Sequence, residues 1–191
     1  MDIKLSNGVE FNMSPKEFVR CIAPYVGYKD VLFEEIKGCR KRGYLTRVEL
    51  LKLCYVKTNR VFEICKTNDS DKIRIWTKKA FSKGITDRDR VKYLMKLDGV
   101  GMPRASFILS AWNPIEYGTF DYRINKVLHN EEIKDFEKPK YKTDIFWYIA
   151  ALKLFRKWRD EFKLKAARQI EYTLWRYHFM GEISKKKFEL D

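Results

Sequence analysis

Apolar residues recur along this chain at intervals of three and four, while alternation with a period of two is nearly absent. Such spacing predicts amphipathic helices, because 3.6 residues per turn brings those positions onto one face. Ser14-Pro15 supplies an N-cap and a first helical residue ahead of "KEFVRCIAPYV". A second helix is expected over about 28–42, stopping at Gly43, where glycine suits a left-handed C-cap. Thr46 opens "RVELLKLCYVKT", and shorter helical pieces follow near 59–66 and 70–82. Thr86-Asp87-Arg88-Asp89 reads as a capping box ahead of a stripe formed by Val91, Leu94 and Met95. Pro103 fits the first turn of a helix whose buried face is Ala105, Ile108, Leu109 and Trp112, ending at Asn113-Pro114. Further helices are expected from near Asp121, from Thr143 to about Lys163, and over about 166–180. The polar stretch 130–142, with Pro139, reads as a surface connection. With no sustained heptad run and no repeat, the pattern predicts an all-α globule of nine or ten helices, a single domain over 1–191.

Composition changes the picture mainly through charge. Apolar residues make up 45% and aromatics 15% of the 191 positions, enough for a packed core without a staple. Forty Lys and Arg against 26 Asp and Glu leave a formal charge of +14, which points to a polyanionic partner, nucleic acid ahead of an anionic membrane surface. The clusters Lys37–Arg42 and Lys185–Lys187 contribute, although charge runs are usually solvated faces. Cys21, Cys39, Cys54 and Cys65 lie 18, 15 and 11 residues apart, with no C-x-x-C and no histidine at a ligand spacing. They read as reduced, mostly buried thiols of a cytosolic protein, with no metal bound. The opening "MDIKLSNGVEFNM" lacks the apolar run of a signal peptide, and "IFWYIAALKLF" is too short to span a bilayer. The expectation is an intracellular, cytoplasmic monomer.

Two of only nine glycines stand together in "LDGVGMPRASFIL", residues 97–109. Glycine accepts left-handed backbone angles and leaves neighbouring N–H groups uncovered. The helix start at Met102-Pro103-Arg104 adds orphan donors and the positive end of a helix dipole, together a site suited to a phosphate. A tight corner between helices, with the glycines serving packing alone, is the other use of such a turn.

The pattern L-x-G-V-G-x-x-x-A, here Leu97, Gly99, Val100, Gly101 and Ala105, resembles the helix-hairpin-helix motif of the DNA glycosylase superfamily. That superfamily follows its hairpin with a glycine/proline-rich loop and an aspartate. Here Pro114, Gly118 and Asp121 follow, with Asp121 twenty residues after Gly101. The resemblance covers about 91–128, within a hairpin at 86–113 and a catalytic loop and helix at 114–129. It implies a two-lobed helical globule with a cleft between lobes, binding double-stranded DNA and excising a damaged or modified base. Asp121 matches the family's catalytic aspartate, and Gly99, Val100, Gly101 and Met102 match its DNA-binding turn. Arg104, Arg123 and Lys126 flank these positions as phosphate contacts, and Tyr122, Glu171 and Trp175 are candidates for the base pocket. The resemblance also implies a monovalent cation on the carbonyls of Met95, Leu97 and Val100.

Three departures narrow the reading. Pro103 stands where bifunctional members carry a Schiff-base lysine, so a lyase acting through that position is excluded. Asp98 replaces the proline usual between the leucine and the glycine, placing a negative charge beside a phosphate site. The four cysteines all precede the hairpin, so the iron–sulfur cluster of some members is not expected. Chemically, an ionised carboxylate near the sugar stabilises the positive charge that develops as a base departs. Asp121 suits that role, and equally suits an N-cap for the helix it opens. A non-catalytic DNA-binding protein is therefore the alternative, with an RNA- or partner-binding helical domain as a third.

Overall fold

A computed structural model describes residues 2–4, 10–27, 31–57, 60–130, 133–139 and 144–188. The expected helix starts at 28, 59 and 143, and the side chains of Lys185–Lys187, fall outside the described part. Helix α1 (Pro15–Ile22) begins at a reciprocal capping box in which Ser14 Oγ accepts the Glu17 N–H and Glu17 Oε2 accepts the Ser14 N–H. The helix expected over 28–42 divides into α2 (Val31–Glu35) and α3 (Gly38–Arg42). Gly38 weakens a continuous helix there. The break lets Phe33, Ile36 and Cys39, spaced by three, all reach the core. Gly43, at φ +79°, closes α3 by donating its N–H to Cys39 O at 2.7 Å.

Thr46 and Glu49 repeat the reciprocal cap at the start of α4 (Arg47–Lys57), which leads into α5 (Phe62–Lys66) and α6 (Ser70–Phe81). Thr86 then caps α7 (Asp87–Leu94), with the Asp89 N–H reaching Thr86 Oγ1 at 3.1 Å. Met95, expected on the apolar stripe, is 40% exposed because the helix has already ended at Leu94. After the turn come α8 (Met102–Trp112), α9 (Tyr122–Asn130), α10 (Asp144–Glu161) and α11 (Ala167–Phe188). The chain is an all-α globule, apart from strands β1 (Asp2–Lys4) and β2 (Glu10–Asn12), which pair antiparallel with Ile3 opposite Phe11. No described helix is long and apolar enough to cross a membrane.

Helix α8 organises the packing. The expectation of one buried face is exceeded, since Arg104 through Ala111 are all buried. Residues apolar or small on every side of a helix suit a central position, and α2, α4, α7 and α10 all pack against it. The buried hydroxyl of Ser106 is satisfied there by accepting the Phe120 N–H at 2.9 Å. One continuous cluster of buried side chains extends from Phe18 of α1 to Tyr177 of α11. Arg156 of α10 fastens the start of α7, with Nη1 at 2.6 Å from Asp87 Oδ2. Tyr117 donates its hydroxyl to the same carboxylate at 2.8 Å.

Candidate functional site

The turn between α7 and α8 is built by side chains from elsewhere in the chain. Leu97 and Val100 are buried and anchor it to the core. Buried Asn68, between α5 and α6, grips Asp98 at both ends of its peptide frame. Its Oδ1 accepts the Asp98 N–H at 2.8 Å and its Nδ2 donates to Asp98 O at 2.9 Å. The Asp98 carboxylate itself turns to Lys72, 2.6 Å away, and this partner holds its pKa below the usual carboxylate value. The negative charge that departs from the motif is thereby paired within the protein.

The two glycines answer to different demands. Gly99 sits at φ +73°, and a Cβ there would lie 2.8 Å from Cys65 Sγ and 3.1 Å from Cys65 N. The fold requires glycine at that position. Gly101 is exposed, extended at φ −82°, and a Cβ on it would meet nothing within 4 Å. No described residue demands glycine at 101. The N–H groups of Gly101 and Met102 reach no acceptor among the described residues, and they stand at the positive end of α8.

The loop from Asn113 to Phe120 carries the chain from the end of α8 to the start of α9. Gly118 is wedged in it, since a Cβ there would lie 2.7 Å from Glu171 Cβ and 2.9 Å from the Phe155 ring. Together with the Ser106–Phe120 bond, this fixes Asp121 at the mouth of α9. Asp121 Oδ1 accepts the N–H groups of Arg123 and Ile124 at 3.1 and 3.3 Å. Its Oδ2 faces Lys57 Nζ at 3.2 Å, with the two side chains only 16% and 17% exposed. Lys57 is the last residue of α4 and also lies 5.8 Å from the Phe107 ring centre. Sequence reasoning missed Lys57, which stands 64 positions from Asp121 in no recognisable motif.

The remaining candidates separate into two groups. Arg104, expected to project toward phosphate, is 9% exposed and donates from Nη1 to Gly99 O at 3.3 Å, bracing the turn from within. Glu171, expected to line a base pocket, is buried against Gly118 and bonded to Arg168. Burial pushes its carboxyl pKa up, against the pull of Arg168 and Lys57. By contrast Tyr122 is 55% exposed, with the Arg123 guanidinium 5.1 Å and the Lys126 ammonium 6.0 Å from its ring centre. Arg123 also reaches the Trp175 ring at 5.8 Å, so α9 and α11 bring Tyr122, Arg123, Lys126 and Trp175 to one place beside Asp121. Cavities of about 350 Å³ and 430 Å³ lie elsewhere, the first against Trp112 and Pro114, the second against Phe162 and Gln169.

The cysteines are free thiols, Cys21 exposed and Cys39, Cys54 and Cys65 buried. Burial pushes the Cys39 thiol up to about 11, far from the range of a nucleophile at neutral pH. Compared with known proteins, the chain matches no family model, no curated protein and no solved structure.

Proposed function

We propose that this chain is a monofunctional DNA glycosylase, hydrolysing the N-glycosidic bond of a damaged or modified base turned out of duplex DNA. The observation that supports it most is the setting of Asp121. One carboxylate oxygen is fixed by two backbone N–H groups and the other stays beside a lysine, under limited solvent. A preorganised anion of this kind stabilises the sugar cation left when the base departs with the bonding electron pair, and orients the water that adds to the sugar carbon. Unstacking the base costs a few kcal/mol, which the exposed Tyr122 and neighbouring rings offset by offering stacking surface.

The glycine turn holds the strand. The N–H groups of Gly101 and Met102 receive a phosphate oxygen, and bare Gly101 lets the backbone approach. The oxygens assigned to a monovalent cation fit that role chemically. Leu97 O already accepts the Val100 N–H at 3.1 Å, while the Met95 and Val100 carbonyls accept no hydrogen bond among the described residues. A second reading, a DNA-binding protein without chemistry, draws on the same carboxylate, because a cap and a salt bridge already satisfy both oxygens of Asp121.

Asp121→Asn decides between them. The variant keeps an oxygen for the cap and loses the charge. On duplexes each bearing one lesion, excision is expected to fall about 10²–10³-fold, or roughly 3–4 kcal/mol of barrier. Equal excision by both folded proteins would remove Asp121 from the chemistry. No excision on any lesion, with duplex binding intact, would establish the binding protein instead.

A further inference from the structure

Next to Asp121, α9 and α11 expose a run of rings and cations that neither the core nor the proposed excision step needs in full. Tyr172, Trp175 and Phe179 form a ladder on α11, each neighbouring pair of rings only 4° from parallel, with centres 5.8 and 5.6 Å apart. At 1.5 Å per residue the ladder covers about 10 Å of helix. Its outer end is open, with Phe179 45% exposed. Arg176 lies 5.0 Å from the Tyr172 ring, and Arg123 bridges from Trp175 to Tyr122. The Arg123 Nε is buried and has no hydrogen-bond acceptor among the described residues.

Acidic groups are scarce on this face. Helix α9 contains none, and the first fifteen residues of α11 contain only Glu171, which is buried on Arg168. Rings and cations thus alternate along an electropositive surface, as bases and phosphates alternate along a nucleic acid strand. A duplex keeps the faces of its bases hidden in the stack, so side-chain rings of this kind meet only bases that are unpaired.

We propose that the Tyr122–Trp175–Phe179 face is a platform for unpaired nucleotides of single-stranded DNA, the bases stacking on the rings while Arg123 and Arg176 meet the phosphates. This rests on the DNA reading of Asp121 and narrows it, because a strand laid over Tyr122 enters the site already unstacked. Lesions in bubbles or single strands then become preferred substrates over lesions in closed duplex.

Lesion-free oligonucleotides test the platform without requiring excision. Anisotropy of labelled dT16 is expected to report binding, with tryptophan emission quenched as the complex forms. Phe179→Ala and Tyr122→Ala alter exposed rings and leave the core intact, and each is expected to weaken dT16 at least about fivefold, the scale of one lost base stack. Trp175→Phe keeps a ring and removes the reporter, so binding persists while much of the quench disappears. Unchanged affinity in both alanine variants, or a full quench in Trp175→Phe, would overturn the proposal. Tighter binding of the matching RNA would also overturn the assignment to DNA. Failure of excision with ring-dependent dT16 binding would remove the glycosylase reading and leave the platform standing.

Discussion

Gly101→Val isolates the turn's outward role. The backbone at 101 is extended and its Cβ would enter open space, so valine brings no internal clash. Replacing glycine at an N-cap costs up to about 1 kcal/mol, and the lost freedom of the unfolded chain returns about 0.4–1 kcal/mol. The net change in stability is therefore within about 1 kcal/mol, or a few degrees in Tm for a chain of this size. Binding should respond quite differently. Two methyl groups would stand where the proposed phosphate would meet the N–H groups of Gly101 and Met102, and a hydrogen bond to a charged group contributes about 1.5–3 kcal/mol. Loss of one such bond weakens a lesion-free duplex by about 10–150-fold, while the log–log salt slope, which the Lys and Arg contacts to phosphate set, should stay nearly unchanged. Thermal melts paired with anisotropy over a salt series measure both quantities on the same preparation. Gly99→Ala is the contrasting control, because the contact with Cys65 should lower its Tm whatever it does to DNA. A folded Gly101→Val protein with wild-type affinity would refute the phosphate site.

Other outcomes follow from separate parts of the molecule. Since Pro103 offers no amine, the excision product should be an intact abasic site that breaks only under alkali, and borohydride should trap no adduct. An adduct abolished by Lys57→Ala would show that the amine beside Asp121 reacts, ending the monofunctional assignment. Burial raises the Asp87 pKa, but the hydrogen bonds of Arg156 and Tyr117 outweigh it and hold the group below its usual 3.8. Its contribution to stability is thus present above that pH and lost as pH falls through the depressed value. Asp87→Asn should cost about 2–3 kcal/mol at neutral pH and flatten the acid limb of a denaturation series. Gly118→Ala should destabilise by about 1–3 kcal/mol in a urea titration, since its methyl would press on Glu171 and Phe155. A neutral result there would mean that the loop before Asp121 yields more easily than its packing implies.

What the sequence revealed was mostly local chemistry. Ser14, Thr46 and Thr86 announce their helices because a cap is written within four residues, and Gly43 closes α3 for the same reason. The β1–β2 pair escaped the sequence because strands of three residues are too short to establish a period. Burial around α8 is a tertiary matter. Periodicity showed one apolar face, whereas Ser106 and Ser110 give no hydrophobic signal and are buried through close packing. The expected position of Asp121 at a helix start was readable from the residues after Gly118. Its pairing with Lys57 was not, because only the folded chain brings the end of α4 to the mouth of α9. Arg104 illustrates the reverse case, an arginine read as a phosphate contact whose Nη1 turns inward to the Gly99 carbonyl.

Asn68 also bears on whether the glycine turn is a transferable part. Its amide replaces, with one side chain, the water that Asp98's peptide groups would otherwise hold, and it does so from a segment outside the hairpin. A peptide of residues 86–113 carries every motif position yet lacks Asn68, Lys72 and Cys65, the groups that set the turn's shape. Such a peptide would pay the ordering entropy of the turn on meeting any ligand, whereas the intact protein has settled it during folding. Grafting the motif into another helical scaffold would accordingly need a donor–acceptor amide placed opposite residue 98. The unit that nature could exchange between proteins is then the hairpin together with α5 and the start of α6.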